Sequence, residues 1–276
     1  LALEPGAREA FDSLWLGYTE SLGDPQLRQA IAGLYAHISA DRVLVHAGAE
    51  EAIFNFMNVA LAPGDHVVVH APYYQSLGAV AQSIGADVSE WRGDPKRAWE
   101  LDLDRLESLL TARTRVVVVN FPHNPTGFLP APELIRELSA LSDRHGFVIF
   151  SDEVYRGLEL DRTDRLPALV DVNERAVSLG VMSKTYGLAG LRIGWLATRD
   201  DGLLRGLAVG LQRDRHVRRR RLHVRPHRHV LSLRLRLPDR RRRVRRRADH
   251  VLGAPAQPGL RPGGHLRGGG EGHRHL

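Results

Sequence analysis

Apolar positions along the first two hundred residues follow two alternating periods. Residues 24–38 (DPQLRQAIAGLYAHI) place Leu27, Ile31, Leu34, Tyr35 and Ile38 at helical spacing, with Asp24 as N-cap and Pro25 at the first helical position. Residues 50–61 read as a helix after a tight turn at Gly48. His66–Ala71 (HVVVHA) reads as a buried strand entered through the Pro63-Gly64-Asp65 turn. The pattern then predicts a helix over 74–84, a strand over 86–91 and a helix over 102–110 carrying Leu103, Leu106 and Leu110 on one face. Arg115–Asn120 (RVVVVN) is β-branched on both faces, as a parallel strand covered on both sides by helices requires. A helix over 132–145, a strand over 147–152 and strand candidates at 176–179 and 192–198 follow. This alternation predicts a three-layer α/β/α fold with a mostly parallel sheet.

Near Arg213 the periodicity stops, and the charge balance changes with it. The chain of 276 residues carries +7 overall. Residues 1–212 hold 19 Lys and Arg against 28 Asp and Glu, a balance of −9; residues 213–276 hold 20 Arg and four acids, a balance of +16. The first part has the composition of an acidic globular enzyme. The second is Arg, His, Gly and Pro, with runs such as Arg218–Arg221 and Arg240–Arg243, and only Val230–Leu237 alternates enough to suggest a weak, isolated strand. Three parts are therefore expected: an N-terminal segment over 1–23, an incomplete large domain over 24–212, and a low-complexity tail over 213–276. Such composition buries too little apolar surface to offset chain entropy, so the tail is expected to be disordered. A frameshift in GC-rich coding sequence accounts for it. The alternative, a basic arm for nucleic acid, lacks the aromatic interleaving of a stacking surface, so only nonspecific binding is expected.

The chain has no cysteine, which excludes disulfides, thiolate metal sites and a cysteine nucleophile. No metal-ligand spacing stands out, even among the eight histidines of the tail. No apolar run approaches the ~20 residues that span a bilayer. Residues 1–16 mix Glu4, Arg8, Glu9 and Asp12 into their sequence, unlike a signal peptide, so a cytoplasmic location is expected. The first residue is Leu1 rather than Met, from which a missing upstream segment is expected.

Four motifs occur in order: Gly48-Ala49-Glu50 at a helix start, NFPHNPTG over Asn120–Gly127, SDEVY over Ser151–Tyr155, and SKTYGLAGLRIG over Ser183–Gly194. In order and spacing this set resembles the class I/II aminotransferases, enzymes of fold type I that use pyridoxal 5′-phosphate, and the resemblance runs from about Tyr18 to Thr198. It implies a Schiff base between Lys184 and the cofactor, and a Lys184 amine that later serves as general base. Lys96, the other lysine of the chain, has no motif around it. Asp152 matches the family carboxylate that keeps the ring nitrogen protonated. Glu153 competes for that role, although period-two alternation turns it to the opposite side. By the same resemblance Asn124 and Tyr155 face the ring oxygen, and Tyr74 stacks on the ring, with Tyr73 as the alternative. Arg192, eight residues after Lys184, matches the phosphate arginine. The amides of Ala49 and Glu50 would meet the phosphate at a helix N-terminus. Tyr18 fits the family tyrosine that reaches the phosphate of a neighbouring subunit, which implies a homodimer. Trp15–Tyr18 and Tyr73–Tyr74 are candidates for the substrate side.

Two departures narrow these implications. Many members have a phosphate-binding serine three residues before the lysine; here that residue is Val181, with Ser183 or Ser178 as candidate substitutes. Members also continue for over a hundred residues beyond the arginine motif, including the arginine that grips the substrate carboxylate. No tail arginine matches it. The activity implied is transfer of an amino group between an amino acid and a 2-oxo acid. The alternatives are another reaction on the same scaffold, β-elimination or a cyclising replacement, and a truncated, inactive fragment.

Overall fold

The computed structural model describes residues 6–15 and 17–221, with side chains through residue 211. A short helix α1 (Ala7–Asp12) precedes α2 (Pro25–Ala32), β1 (Val43–His46), α3 (Ala49–Ala60), β2 (His66–Ala71), α4 (Ser76–Ile84) and β3 (Asp87–Arg92). Then come α5 (Leu103–Leu109), β4 (Thr114–Asn120), α6 (Pro132–His145), β5 (Val148–Asp152), α7 (Leu169–Val172), β6 (Ala176–Val181), β7 (Gly194–Thr198) and α8 (Asp201–Arg221). The seven strands form one sheet in the order β1-β7-β6-β5-β4-β2-β3. β7 runs antiparallel to both its neighbours, and the pairs from β6 through β3 are parallel. This is the α/β fold that the alternating periods predict.

Alternation along the strands divides the core between two faces. Val67, Val69, Val116, Val118, Phe150 and Leu196 pack with α3, α4 and α8. Val68, Val117, Val119 and Ile149 pack with α5, α6 and α7, while Trp195 and Ala197 pack with α2 and β1. Central strands β2 and β6 are buried at every residue, as a sheet covered on both faces requires.

Several expected boundaries shift. The helix expected over 24–38 starts as read, with the Asp24 carboxylate accepting from Leu27 N at 2.9 Å and Pro25 in the first turn, but it stops at Ala32. Beyond Gly33 the chain turns, and the Asp171 carboxylate takes the amides of Ala36 and His37 at 2.8–3.0 Å. The turn also lets Tyr35 Oη accept from Trp195 Nε1 at 2.7 Å. Tertiary contacts thus override the helical spacing. The strand expected from Arg192 begins at Gly194, because Arg192 takes a left-handed backbone with φ 53°. β1, α7 and α8 were not expected. α8 runs to Arg221, past the point where the sequence pattern stops, and buries Leu207 and Leu211 against the α3 side of the core. The expected strand over 230–237 and the rest of the Arg-rich segment after Arg221 lie outside the described residues.

Candidate functional site

The parallel strands β2, β4, β5 and β6 all end at one edge of the sheet, and β1 and β7 bring the Gly48 turn and Arg192 to that edge. Ligands of open α/β sheets bind outside the carboxyl ends of the strands. A cavity of about 270 Å³ lies there. Its wall takes Asn124 from the loop after β4, Asp152 from the end of β5, and Tyr155 just beyond it. Ser183, Lys184 and Arg192 come from the β6–β7 connection, Ala49 and Glu50 from the first turn of α3, and Tyr74 from the loop after β2. Tyr18, by contrast, is fully exposed and is not part of this wall. Trp15 is likewise exposed and absent from the wall.

Strand geometry sets which carboxylate faces the cavity. Asp152 is 5% exposed, and its carboxylate accepts one hydrogen bond, from Val154 N at 3.2 Å. Burial pushes its carboxyl up to about 7; the charges of Glu153 and Glu50 push the same way, while the Val154 amide and the Lys184 charge pull it down. Glu153 points away from this cavity. Its Oε1 accepts from Leu169 N at 2.8 Å and from Ser178 Oγ at 2.7 Å, and burial raises its pKa too. Ser178 is thereby committed to Glu153, so of the two candidate serines only Ser183 reaches the cavity, beside Val181.

Lys184 Nζ stands 5.7 Å from the centre of the Tyr155 ring, within cation–π range. Asn120, which ends β4 and opens the NFPHNPTG run, fixes Asn124: its Oδ1 accepts from Asn124 N at 2.8 Å and its Nδ2 donates to Asp152 O at 2.7 Å. A polar residue ending an otherwise apolar strand was the available signal. Ile53, Val154 and Ala189 complete the apolar part of the wall and carry no sequence signal of their own. Of the two adjacent tyrosines, Tyr74 lines the cavity and Tyr73 packs over Gly78. The Tyr74 phenol is raised, first by its hydrogen bond to the Glu50 carboxylate and then by that group's charge. Ser76 Oγ donates to the same carboxylate at 3.2 Å.

Gly48 has φ 91°, a conformation open to glycine, and no side chain caps the α3 N-terminus that follows it. The Arg192 guanidinium lies against the Gly48 α-carbon: a Cβ there would meet Arg192 Nη2 at 2.5 Å. Gly194 backs the same turn, and a Cβ on it would meet the Gly48 carbonyl carbon at 2.7 Å. Uncapped first-turn amides beside a guanidinium make an anion cradle. A buried carboxylate with no cation at ion-pair distance among the described residues, a nearby lysine and this cradle together fit pyridoxal phosphate: a protonated ring nitrogen, a reactive aldehyde and a phosphate. Among the described residues no group of three or more His, Cys, Asp or Glu side chains could hold a metal ion.

Comparison with known proteins agrees with this geometry. The sequence model of a family described as aminotransferase class I and II matches residues 6–221. The capreomycidine synthase of Streptomyces vinaceus is 37% identical over 203 residues, covering 72% of this chain and 52% of the relative. The aspartate aminotransferase of Thermotoga maritima is 33% identical over 208 residues, covering 71% and 55%. Among solved structures, the aspartate aminotransferase of Thermus thermophilus with maleate superposes with a TM-score of 0.71 at 27% identity, over 77% of this chain and 56% of that one. The chain spans about half the length of the curated relatives it matches.

Proposed function

This chain belongs to the class I and II aminotransferase family, and from that premise we propose that it binds pyridoxal phosphate through Lys184 and moves an amino group between an amino acid and a 2-oxo acid. The observation that carries the reading is the convergence of Lys184, Asp152, Asn124, Tyr155 and Arg192 on one cavity. When bound, pyridoxal phosphate supplies an electron sink and a carrier for the amino group.

The residues divide the work by chemistry. Arg192 and the Ala49 and Glu50 amides hold the phosphate. Asp152, buried and without a counter-ion of its own, holds a proton on the ring nitrogen. Asn124 and Tyr155 donate to the ring oxygen, and Tyr74 covers the ring face. Lys184 Nζ would be the general base that moves the proton from the substrate Cα to the cofactor's C4′ carbon. Tyr18, exposed in its own chain, serves a neighbouring copy in a homodimer. The reading places residues 24–212 as the cofactor-binding domain and the protein in the cytoplasm; among the described residues no helix is long and apolar enough to cross a membrane.

A second reading has its own support, since the Streptomyces relative is named a synthase rather than an aminotransferase. Lys184 and Asp152 serve both, because proton removal from Cα comes first in either reaction. One experiment separates them: the cofactor-loaded chain is mixed with single amino acids and no acceptor. Transamination is expected to yield one 2-oxo acid and one pyridoxamine phosphate per site. Ammonia release, or a cyclised product with the cofactor unchanged, would overturn it in favour of the second reading.

A further inference from the structure

His123 does not line the Lys184 cavity, yet it joins two of the segments that build it. The residue lies between β4 and α6, one position before Asn124, and is 4% exposed. Its Nε2 is 2.8 Å from the Pro72 carbonyl oxygen. A carbonyl only accepts, so Nε2 carries the proton. Its Nδ1 is 2.6 Å from Thr126 Oγ1, which in the neutral ring is the donor. Phe128 N donates to the same hydroxyl at 3.2 Å. A directed chain therefore runs from the Phe128 amide through Thr126 and the imidazole to Pro72. Among the described residues, the His123–Pro72 bond is the one hydrogen bond between residues 121–128 and residues 72–76.

The ring is held from its other side as well. His70, near the end of β2, stacks on His123 with centroids 3.7 Å apart and planes 20° apart. Phe121 and Trp91 close around His70 at 5.4 and 6.1 Å. Burial lowers the pKa of both imidazoles; the charge of His123 lowers that of His70 further, while the bond to Pro72 pulls His123 the other way. A neutral, stacked ring with both nitrogens bonded has little rotational freedom.

We propose that His123 is a positioning residue for the cofactor site: by bonding the Pro72 carbonyl it fixes Tyr74, two residues on, at a set separation from Asn124 across the cavity. This deepens the proposed function and rests on the reading of Tyr74 and Asn124 as cofactor contacts. The residue touches neither cofactor nor substrate and acts through Pro72.

The test uses the full chain. His123→Phe keeps an aromatic ring on His70 and removes both hydrogen bonds, while His123→Gln places an amide N–H within reach of Pro72. Three quantities are read: amide exchange of residues 73–76 without cofactor, the dissociation constant for pyridoxal phosphate, and the pH midpoint of the bound cofactor's absorption. His123→Phe is expected to speed exchange and weaken cofactor binding by about tenfold each, and to shift the midpoint. His123→Gln is expected to restore most of each. Thr126→Val, which loosens the ring without removing it, should move all three the same way by less, and it serves if the phenylalanine variant does not fold. Faster exchange with unchanged affinity and midpoint would overturn the proposal, and so would no change at all. A wild-type chain that takes up no cofactor overturns the proposed function instead; exchange at residues 73–76 then decides whether His123 ties the loops.

Discussion

The Asp152 carboxylate ends β5 with one hydrogen bond and no cationic partner at ion-pair distance among the described residues. Its folded pKa of about 7 lies above the unfolded value of 3.8, so the folded chain holds the extra proton between these limits. Stability from this group is therefore full below pH ~4 and is lost as pH rises through ~7. Asp152→Asn is expected to make the cofactor-free chain more stable at pH ~8, by up to a few kcal/mol (~1.4 per unit of pKa), with the gap closing near pH ~4. The same change should abolish amino transfer, which denaturant melts and a half-reaction assay will show together. His70 works with the opposite sign. Burial, and then the charge of His123, lower its pKa from 6.5 to about 3, so the unfolded chain binds the extra proton between those values. Stability should then fall as pH drops from ~6.5 toward ~3, and His70→Phe should flatten that slope. Among the described residues neither ring nitrogen of His70 has a partner, so the phenylalanine variant is expected to match or exceed wild-type stability at pH ~7.

At the scale of elements, α8 packs on α3 through two glycines. A Cβ on Gly210 would meet Asn55 Oδ1 at 2.2 Å, and one on Gly206 would meet Val59 Cγ1 at 2.7 Å. Asn55 Nδ2 also donates to Leu207 O at 3.1 Å. Gly210→Val is expected to push the helices apart and cost ~1–3 kcal/mol in a denaturant melt. At the other end of α3, Gly48→Ala forces a positive φ on a side chain that would strike Arg192. It is expected to weaken cofactor binding more than stability. The contrast between these helices shows what the sequence discloses. The start of α2, strands β2 and β4, and α6 are legible because local capping and periodicity agree with the fold. β1 is four residues long and edge-paired to a strand 150 residues away, so its order comes from β7 and not from its own pattern. α8 carries its apolar face as sparse leucines among arginines and glycines, which reads locally as a weak helix. The site was legible where motifs name it, at Lys184, Asp152, Asn124 and Arg192. Asn120 and His123 stand in the same NFPHNPTG run, but their roles were not legible because they are tertiary: each bonds a neighbouring strand or loop, and spacing along the chain does not record that.

For the whole molecule, residues 1–212 carry a balance of −9, so the proposed phosphate would depend on local positive charge at Arg192 and the α3 amides. Phe11, Trp15, Tyr18 and Phe54 remain more than half exposed. The proposed homodimer is expected to appear as concentration-dependent sedimentation, and a chain that stays monomeric throughout would count against a shared active site. The central claim is that Lys184 holds the cofactor, and the sequence makes it easy to test because Lys96 is the only other lysine. The chain is incubated with pyridoxal phosphate, reduced with borohydride, digested and sequenced by mass spectrometry. The pyridoxyl mass is expected on the Lys184 peptide and absent from Lys184→Ala; label confined to Lys96, or divided equally between the two lysines, would overturn the assignment of Lys184.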